Sequence, residues 1–411
     1  GLESKYEEYL KGEAGKILTL TDSRGRRVSD AEERVEPING ENLVTSIDVV
    51  IQQYAEQEIA AAVEAKNAKS GIIIVMNPQN GEIYAMANYP TFDLNEPFTI
   101  NDEELAALWD IFTEEEKNEY LNQMWRNKAI NDTYEPGSTF KIVTASTGLE
   151  EGVITPESTF TCTGSMTVGG RMIKCWRYPR THGTQTFAEG VRNSCNPVFM
   201  AVAERIGADT FYDYMIKFGF AEKTGIDLNG EAVGILHDKD DIGPVELATM
   251  SFGQTFQITP IQLLRAAAAV VNGGTLVTPH FAIKTVDDNG FTINTFEWPE
   301  GERVISEETS ATMREILESV VAEGTGNKAQ VEGYRIGGKT ATSQKLPRGS
   351  GKYIASFMAF APADDPQVMA LVLIDEPEGV YYGGTVAGPV MRDLLTNILP
   401  YLNIEKTAEI E

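Results

Sequence analysis

Three short motifs carry, in chain order, the residue types that an acyl-transfer reaction needs. Ser138-Thr139-Phe140-Lys141 sets a hydroxyl and an ammonium three residues apart. On a helix that spacing is one turn, so both groups share a face. A lysine held there, partly buried and near other cations, loses its proton readily and can serve as base for the serine. Taken alone, such a tetrad recurs by chance in a chain of 411 residues. Ser194-Cys195-Asn196 places a hydroxyl and an amide two residues apart, pointing the same way in an extended or turn segment. By itself it reads as a helix cap before Pro197. Lys339-Thr340-Ala341 supplies a cation and a hydroxyl on a β-rich run, which alone would be a solvated strand end.

A second chemistry is spelled by Cys162, Cys175, His182 and Cys195, which hold all three cysteines and one of the three histidines of the chain. A hairpin over 160–178, turning at Gly169-Gly170, is expected to set Cys162 and Cys175 on neighbouring rungs. Cys195 sits between two residues that face the cleft, so its own side chain should point behind it. Four N/S donors of this kind suit a tetrahedral Cys₃His structural zinc site. A Cys162–Cys175 disulfide and three buried, unligated thiols are the alternatives.

Gly333-Tyr334-Arg335-Ile336-Gly337-Gly338-Lys339-Thr340 also matches the phosphate-loop pattern, and Leu371-Val372-Leu373-Ile374-Asp375 resembles a metal-binding strand. That chemistry requires the Lys-Thr pair to open a helix whose N–H groups cradle phosphate. The following Ala341-Thr342-Ser343-Gln344-Lys345-Leu346-Pro347 cannot sustain a helix, and too little chain follows Asp375 for a nucleotide-binding sheet. A nucleotide hydrolase is set aside.

The elements that must position these groups are legible in outline. Runs at 71–76 and 83–87 flank Asn77-Pro78-Gln79-Asn80-Gly81, a hairpin signal. Residues 102–124 are acidic and helix-prone, and 138–149 predicts a buried helix with Ser138 at its N-terminal end. Helical stretches follow near 198–206, 209–218, 260–271 and 306–322. Three β-rich runs come next, 334–343, 353–361 and 368–375, the last two joined by a turn at Ala363-Asp364-Asp365-Pro366. A helix over 389–399 closes the domain. Strands from both ends with helices between them imply one mixed α/β unit, over 41–402. Residues 1–40 are highly charged and read as a linker or the remnant of a missing pedestal domain; 403–411 is an acidic tail expected to fray.

Composition narrows the class further. Lysine and arginine number 34 against 61 aspartates and glutamates, a formal net charge of −27. That sign repels phosphate backbones and argues against nucleic acid as a partner. A content of 42 % hydrophobic and 23 % charged residues is ordinary for a folded protein and excludes global disorder. No run approaches the roughly 18 apolar residues of a membrane helix. The chain opens at Gly1-Leu2 without a signal peptide and is expected to be part of a longer protein.

Together and in this order, the three motifs resemble the penicillin-binding protein and serine β-lactamase family. Tyr134-Glu135-Pro136-Gly137-Ser138-Thr139-Phe140-Lys141, Ser194-Cys195-Asn196-Pro197 and Gly337-Gly338-Lys339-Thr340 look like class B penicillin-binding proteins. Val320-Val321-Ala322-Glu323-Gly324-Thr325-Gly326 and Lys223-Thr224-Gly225-Ile226-Asp227-Leu228 look closest to the sporulation and division-type branch. The resemblance implies an α/β (α+β) transpeptidase fold, an antiparallel sheet flanked by helices plus an all-α subdomain. It implies Ser138 as nucleophile, Lys141 as base, Ser194 as proton relay, and Asn196 as the group that orients Lys141 and the substrate amide. Lys339, Thr340 and Thr342 would bind the terminal carboxylate, and the N–H groups of Ser138 and Thr342 would form the oxyanion hole. Ala341 stands where the family usually has glycine, and a methyl there could narrow the cleft. The implied partners are peptidoglycan stem peptides, β-lactams, a membrane glycosyltransferase and divisome or sporulation proteins. The implied location is the extracytoplasmic face of the membrane, on an N-terminal anchor absent from this chain. The acyl transfer itself needs no cofactor. A β-lactamase or DD-carboxypeptidase, and a non-turnover β-lactam sensor, are the alternatives within the same fold.

Overall fold

The computed structural model describes residues 1–24, 27–299 and 301–407, so the last part of the acidic tail, 408–411, lies outside the described residues. Two compact units emerge, Gly1–Ser46 with Ile226–Asn229 and His280–Trp298, and the remainder of the chain. In the smaller unit, Lys16–Thr21 and Arg27–Val35 form an antiparallel ribbon, within the stretch expected to be a linker or remnant. Asn42–Thr45, Ala282–Val286 and Thr292–Thr295 form a three-stranded sheet. Asp227, from a distant part of the sequence, ties the unit together. Its carboxylate accepts from the Phe281 and Ala282 N–H groups, both at 2.9 Å, and from the Tyr6 hydroxyl at 2.7 Å.

The larger unit is built on five strands: β1 (Ser70–Met76), β2 (Ile83–Tyr89), β3 (Gly337–Gln344), β4 (Tyr353–Ala361) and β5 (Val368–Asp375). Their order is β3-β4-β5-β1-β2 with every neighbour antiparallel. Six helices matter for the site: α1 (Val49–Ala65), α2 (Lys141–Glu150), α3 (Asn196–Ile206), α4 (Pro260–Val271), α5 (Glu307–Ala322) and α6 (Gly383–Tyr401). Because side chains alternate along a strand, the sheet has two distinct faces. Ile73, Val75, Phe357, Ala359, Ala370 and Val372 bury one face against Ile51, Ala55 and Ile59 of α1 and Met391, Leu394 and Leu395 of α6. Lys339, Ala341 and Ser343 stand on the opposite face, in register with Met358, Ser356 and Ile354.

Local chemistry starts several of these elements. Asp48 caps α1, accepting from the Val50 and Ile51 N–H groups. Thr259 and Gln262 form a reciprocal capping box at α4, whose twelve residues are all buried. The strands at 353–361 and 368–375 fall where the sequence places them. The phosphate-loop match lies inside a strand, with Thr340 at its middle, so no helix N-terminus is offered to phosphate.

Four expectations change. The acidic stretch 102–124 splits into Glu103–Ala107, a 3₁₀ turn at Trp109–Ile111 and Glu114–Met124, where Thr113 starts a new capping box. The helix expected from Ser138 begins as a 3₁₀ turn, Gly137–Thr139, and becomes α-helical only at Lys141. The hairpin turning at Gly169-Gly170 is only Ser165–Val168 with Arg171–Lys174. Cys162 instead pairs across to Gly183 in a separate ribbon, so Cys162 and Cys175 are not on neighbouring rungs. Finally, α6 starts at Gly383 and runs through Pro389. The lost hydrogen bond is tolerated because Val386, Val390, Met391 and Leu394 all pack into the core.

The start of α6 is pressed against the edge strand. A Cβ on Gly383 would collide with the Ala341 carbonyl oxygen and lie 2.6 Å from that of Ser356. Gly383→Ala must therefore push α6 off β3. We expect it to destabilise the fold by about 1–3 kcal/mol, the usual cost of overpacking, read as a lower urea midpoint with unchanged slope.

Candidate active site

The nucleophile candidate is held by its neighbours rather than by its own hydrogen bonds. Phe140 is fully buried, its ring 4.7 Å from that of Phe256 and 5.5 Å from that of Phe220. Thr139 Oγ1 donates to the Pro136 carbonyl at 2.8 Å, and the Gly137 N–H donates to the Gly253 carbonyl at 2.9 Å. Gly137 has φ of +60°, a conformation glycine adopts without strain. A Cβ there would strike Ser343 Oγ and sit 3.6 Å from the Ala341 methyl. The tetrad is thus clamped between an aromatic cluster and β3, with Ser138 half-buried at the surface of the clamp. The Ala341 methyl is buried and directed at Gly137.

Lys141 and Lys339 reach this point from two different elements and meet at one hydroxyl. Lys141 Nζ donates to the Ser194 carbonyl at 2.8 Å, to Ser194 Oγ at 3.2 Å and to Asn196 Oδ1 at 2.7 Å. Lys339 Nζ donates to Ser194 Oγ at 2.9 Å and to the Thr340 carbonyl at 3.1 Å. Both lysines are fully buried, and no carboxylate among the described residues hydrogen-bonds to either. Burial disfavours the charged form, and a second ammonium on the same hydroxyl disfavours it again. Lys141 is lowered to about 8 by burial. Lys339 falls well below the usual lysine value through burial and the charge of Lys141. Chemically, the pair offers an amine at Lys141 that becomes neutral as pH rises through about 8 and a serine hydroxyl able to pass a proton between the two lysines.

Ser194 reaches its position by backbone conformation. It has φ of +51°, uncommon for a non-glycine residue and frequent at functional sites. Its N–H bonds the Val191 carbonyl and that of Cys195 bonds Gly190, closing the preceding helix before α3 begins at Asn196. Asn196 Nδ2 donates to the Lys174 carbonyl at 3.2 Å, which fixes the amide so that its oxygen faces Lys141. Thr340 and Thr342 stand on the other face of β3. Thr340 Oγ1 donates to Thr325 Oγ1 at 3.3 Å, and Thr342 Oγ1 accepts the Gly383 N–H at 2.9 Å. All eight motif residues, Ser138 and Lys141, Ser194 and Asn196, and Lys339 through Thr342, are thereby gathered on one edge of the sheet.

Behind the Ser194 turn lies the thiol cluster. The ligand atoms of Cys162, Cys175, His182 and Cys195 all lie within 4.8 Å of one another. Cys175 Sγ is 3.6 Å from His182 Nδ1, and the three cysteines are free and buried. Cys195 hydrogen-bonds Cys175, so that Cys175 is drawn down as the thiolate while the same contact and burial push Cys195 up. Glu135, which the sequence places in the motif before Ser138 without a role, accepts from the Thr255 N–H at 3.0 Å and from Arg348 at 2.7 Å. Sequence reasoning did not find Gly383, which lies in no recognisable pattern and matters through its contact with β3.

An antiparallel sheet with a helical subdomain, and a serine–lysine tetrad facing a second lysine across a shared serine, define a serine acyl-transferase of the penicillin-interacting type. The chain belongs to the penicillin-binding protein transpeptidase family: the family model "Penicillin binding protein transpeptidase domain" matches residues 71–396, and "Penicillin-binding Protein dimerisation domain" matches residues 1–45. It is 42 % identical to Stage V sporulation protein D of Bacillus subtilis over 98 % of this chain, and spans 61 % of that protein. It is 32 % identical to "Probable peptidoglycan D,D-transpeptidase PenA" of Neisseria flavescens, over 99 % of this chain and 95 % of that protein. Among solved structures it is similar to penicillin-binding protein 3 of Mycobacterium tuberculosis complexed with ampicillin (27 % identity, TM-score 0.78, covering 93 % of this chain and 82 % of that one).

A base role for Lys141 predicts that acylation switches on as pH rises, because only a neutral amine could take the Ser138 proton. The second-order rate of acylation by benzylpenicillin is expected to climb through an apparent pKa of about 8 and then level off. Stopped-flow rates between pH 6 and 10 check it; a flat profile would contradict the role of Lys141.

Proposed function

We propose that this chain is the catalytic part of a peptidoglycan DD-transpeptidase that works through a Ser138 acyl-enzyme. The observation that carries the reading is the convergence of Lys141 and Lys339 on Ser194 Oγ beside the Ser138 turn. Ser138 Oγ attacks the penultimate D-Ala carbonyl carbon of a stem peptide, and its proton passes to Lys141 Nζ. The negative charge that develops on oxygen is met by the N–H groups of Ser138 and Thr342. As the amide C–N bond breaks, Ser194 hands a proton to the departing D-Ala nitrogen and takes its replacement from Lys141, 3.2 Å away. Lys339, Thr340 and Thr342 hold its carboxylate, and Ala341 lines the cleft between them. An amine of a second stem then attacks the ester carbonyl, its proton returns through Lys141, and Ser138 is regenerated. No cofactor enters these steps.

Similarity to Stage V sporulation protein D supports a role in sporulation or septal wall synthesis. Its working partners would then be a membrane glycosyltransferase and divisome or sporulation proteins, and its place the extracytoplasmic face of the membrane. No helix among the described residues is long and apolar enough to cross a membrane. β-Lactams should acylate Ser138 and stay, because no glutamate among the described residues hydrogen-bonds to Lys141, Ser194 or Lys339, and the nearby Glu135 is engaged by Thr255 and Arg348. Fluorescent penicillin is expected to label the wild type for many minutes and to leave Ser138→Ala unlabelled. Labelling of Ser138→Ala would end the assignment. Rapid nitrocefin hydrolysis by the wild type would make it a β-lactamase instead.

We also propose a structural zinc ion on Cys162, Cys175, His182 and Cys195. The four donors fit a closed tetrahedral N/S site in kind, number and mutual distance. Bound there, zinc would tie Cys195 to the Cys162 ribbon and so hold Ser194 and Asn196 from behind. Protein purified without chelators should carry about one zinc per chain. Cys195→Ser should lower both melting temperature and acylation rate. No zinc with three free thiols would remove the site, and no zinc with one free thiol would replace it with a disulfide.

A further inference from the structure

One face of this acidic chain is basic and aromatic. Between Glu157 and Glu189 the sequence holds no acidic residue, while Arg171, Lys174, Arg177 and Arg180 crowd into ten positions. All four are exposed, and none forms an ion pair among the described residues. Two open rings stand among them, Trp176 at 56 % exposure and Tyr178 at 43 %. Of the four tryptophans, Trp176 alone is exposed among the described residues. Lys174 Nζ lies 4.6 Å from the centre of the Tyr178 ring, a cation–π contact. In a chain of net charge −27, unpaired cations gathered around open rings mark a binding face.

The face is rigid and is joined to the catalytic turn. Met166, Val168 and Ile173 of the Ser165–Val168 and Arg171–Lys174 hairpin pack against Met200, Ala248 and Phe252. Two successive turns then display the rest, with the Tyr178 N–H on the Cys175 carbonyl and the Arg180 N–H on that of Arg177. Trp176 Nε1 donates to the Asn193 carbonyl at 3.0 Å, and the Lys174 carbonyl accepts from Asn196 Nδ2 at 3.2 Å. Ser194 therefore lies between two residues that this segment holds. A surface fixed in advance binds without first ordering itself.

Its chemistry and place select the partner, on the transpeptidase reading above. The donor stem occupies β3, through Lys339, Thr340 and Thr342. The second strand must reach the same ester carbonyl, and the Ser194–Asn196 turn is a wall of the site that β3 does not supply. We propose that the face formed by Arg171, Lys174, Trp176, Arg177, Tyr178 and Arg180 docks the acceptor strand of peptidoglycan. The C–H face of a sugar ring lies flat on the negative face of an aromatic ring, and a guanidinium takes a stem carboxylate through two parallel hydrogen bonds. An anionic lipid surface fits less well. It is a plane and would also meet the acidic surroundings, whereas a single strand feels charges within a Debye length, about 8 Å at physiological salt.

The test uses protein whose Ser138 has been acylated by benzylpenicillin, since the acyl-enzyme is the state that meets an acceptor and its donor cleft is filled. Binding to insoluble peptidoglycan freed of phosphate polymers is read by sedimentation. Acylated wild type should bind about tenfold more tightly than the Arg171→Gln, Arg177→Gln, Arg180→Gln triple variant, the sum of three surface ion pairs. Tyr178→Ser should weaken binding about threefold. The Arg171→Lys, Arg177→Lys, Arg180→Lys triple variant keeps the charge and should retain most of the binding, a rescue that a folding defect would not show. No sedimentation of the acylated wild type, or unchanged binding in the glutamine triple variant or in Tyr178→Ser, would overturn the proposal and leave the transpeptidase reading intact. Tighter binding to phosphatidylglycerol vesicles or to soluble polyphosphate than to peptidoglycan would overturn it too. A wild type that benzylpenicillin does not acylate would overturn both.

Discussion

Two fully buried lysines share one serine hydroxyl, and the rest of the catalytic edge follows from that contact. Ser194 Oγ can accept from both ammoniums, at 3.2 Å from Lys141 and 2.9 Å from Lys339, but no carboxylate among the described residues hydrogen-bonds to either to balance two charges. A buried, unpaired charge is among the costliest things a fold can contain. Relief comes from giving up a proton. Lys339, pushed well below the usual lysine value, is the first to give it up, while Lys141, drawn down to about 8, yields the useful neutral amine as pH rises through that value; the strain of Ser194 at φ of +51° is tolerated because it completes the arrangement.

The architecture serves that meeting point by splitting the sheet into two faces. One is packed against α1 and α6 by aliphatic residues and Phe357, which makes β3 a rigid rail. The other presents Lys339, Ala341 and Ser343 at period two. Lys141 arrives from α2, whose start is fixed by Phe140 in its aromatic cluster, and Ser194 from the turn before α3. Three independent elements thus converge within hydrogen-bond distance. Close approach is what makes Gly137 and Gly383 indispensable, since each leaves room for β3 where a methyl would not fit. The thiol cluster braces the Ser194 turn from the side away from the cleft.

Much of this was legible in the residues because it is local. The tetrad, the order of the three motifs and the strands over 353–361 and 368–375 rest on spacing and side-chain type within a few positions. What escaped is long-range. Cys162 pairs with Gly183 rather than across the Gly169-Gly170 hairpin, and the two ribbons are indistinguishable by composition. Pro389 looked like a helix start, yet packing of Val386 and Met391 carries the helix through it. The smaller unit is assembled from three separated stretches, and Asp227, which ties them, sits in a loop without any pattern of its own. A cavity of about 670 Å³ lined by Ser343, Ile72, Ile354 and Leu373 was invisible for the same reason, since its walls come from six separate stretches of the chain.

The central claim is that Lys141, drawn down to about 8 by burial, is the base that activates Ser138. Lys141→Met keeps the volume and the apolar stem and removes only the amine, so the fold should survive. Rapid-quench measurement of benzylpenicillin acylation at pH 8.5, with thermal melts of both proteins, addresses it directly. The rate should fall by about 10²–10⁴-fold, the usual contribution of a positioned general base, while the melting temperature holds or rises. A well-folded Lys141→Met protein that acylates within a few fold of the wild type would contradict the account.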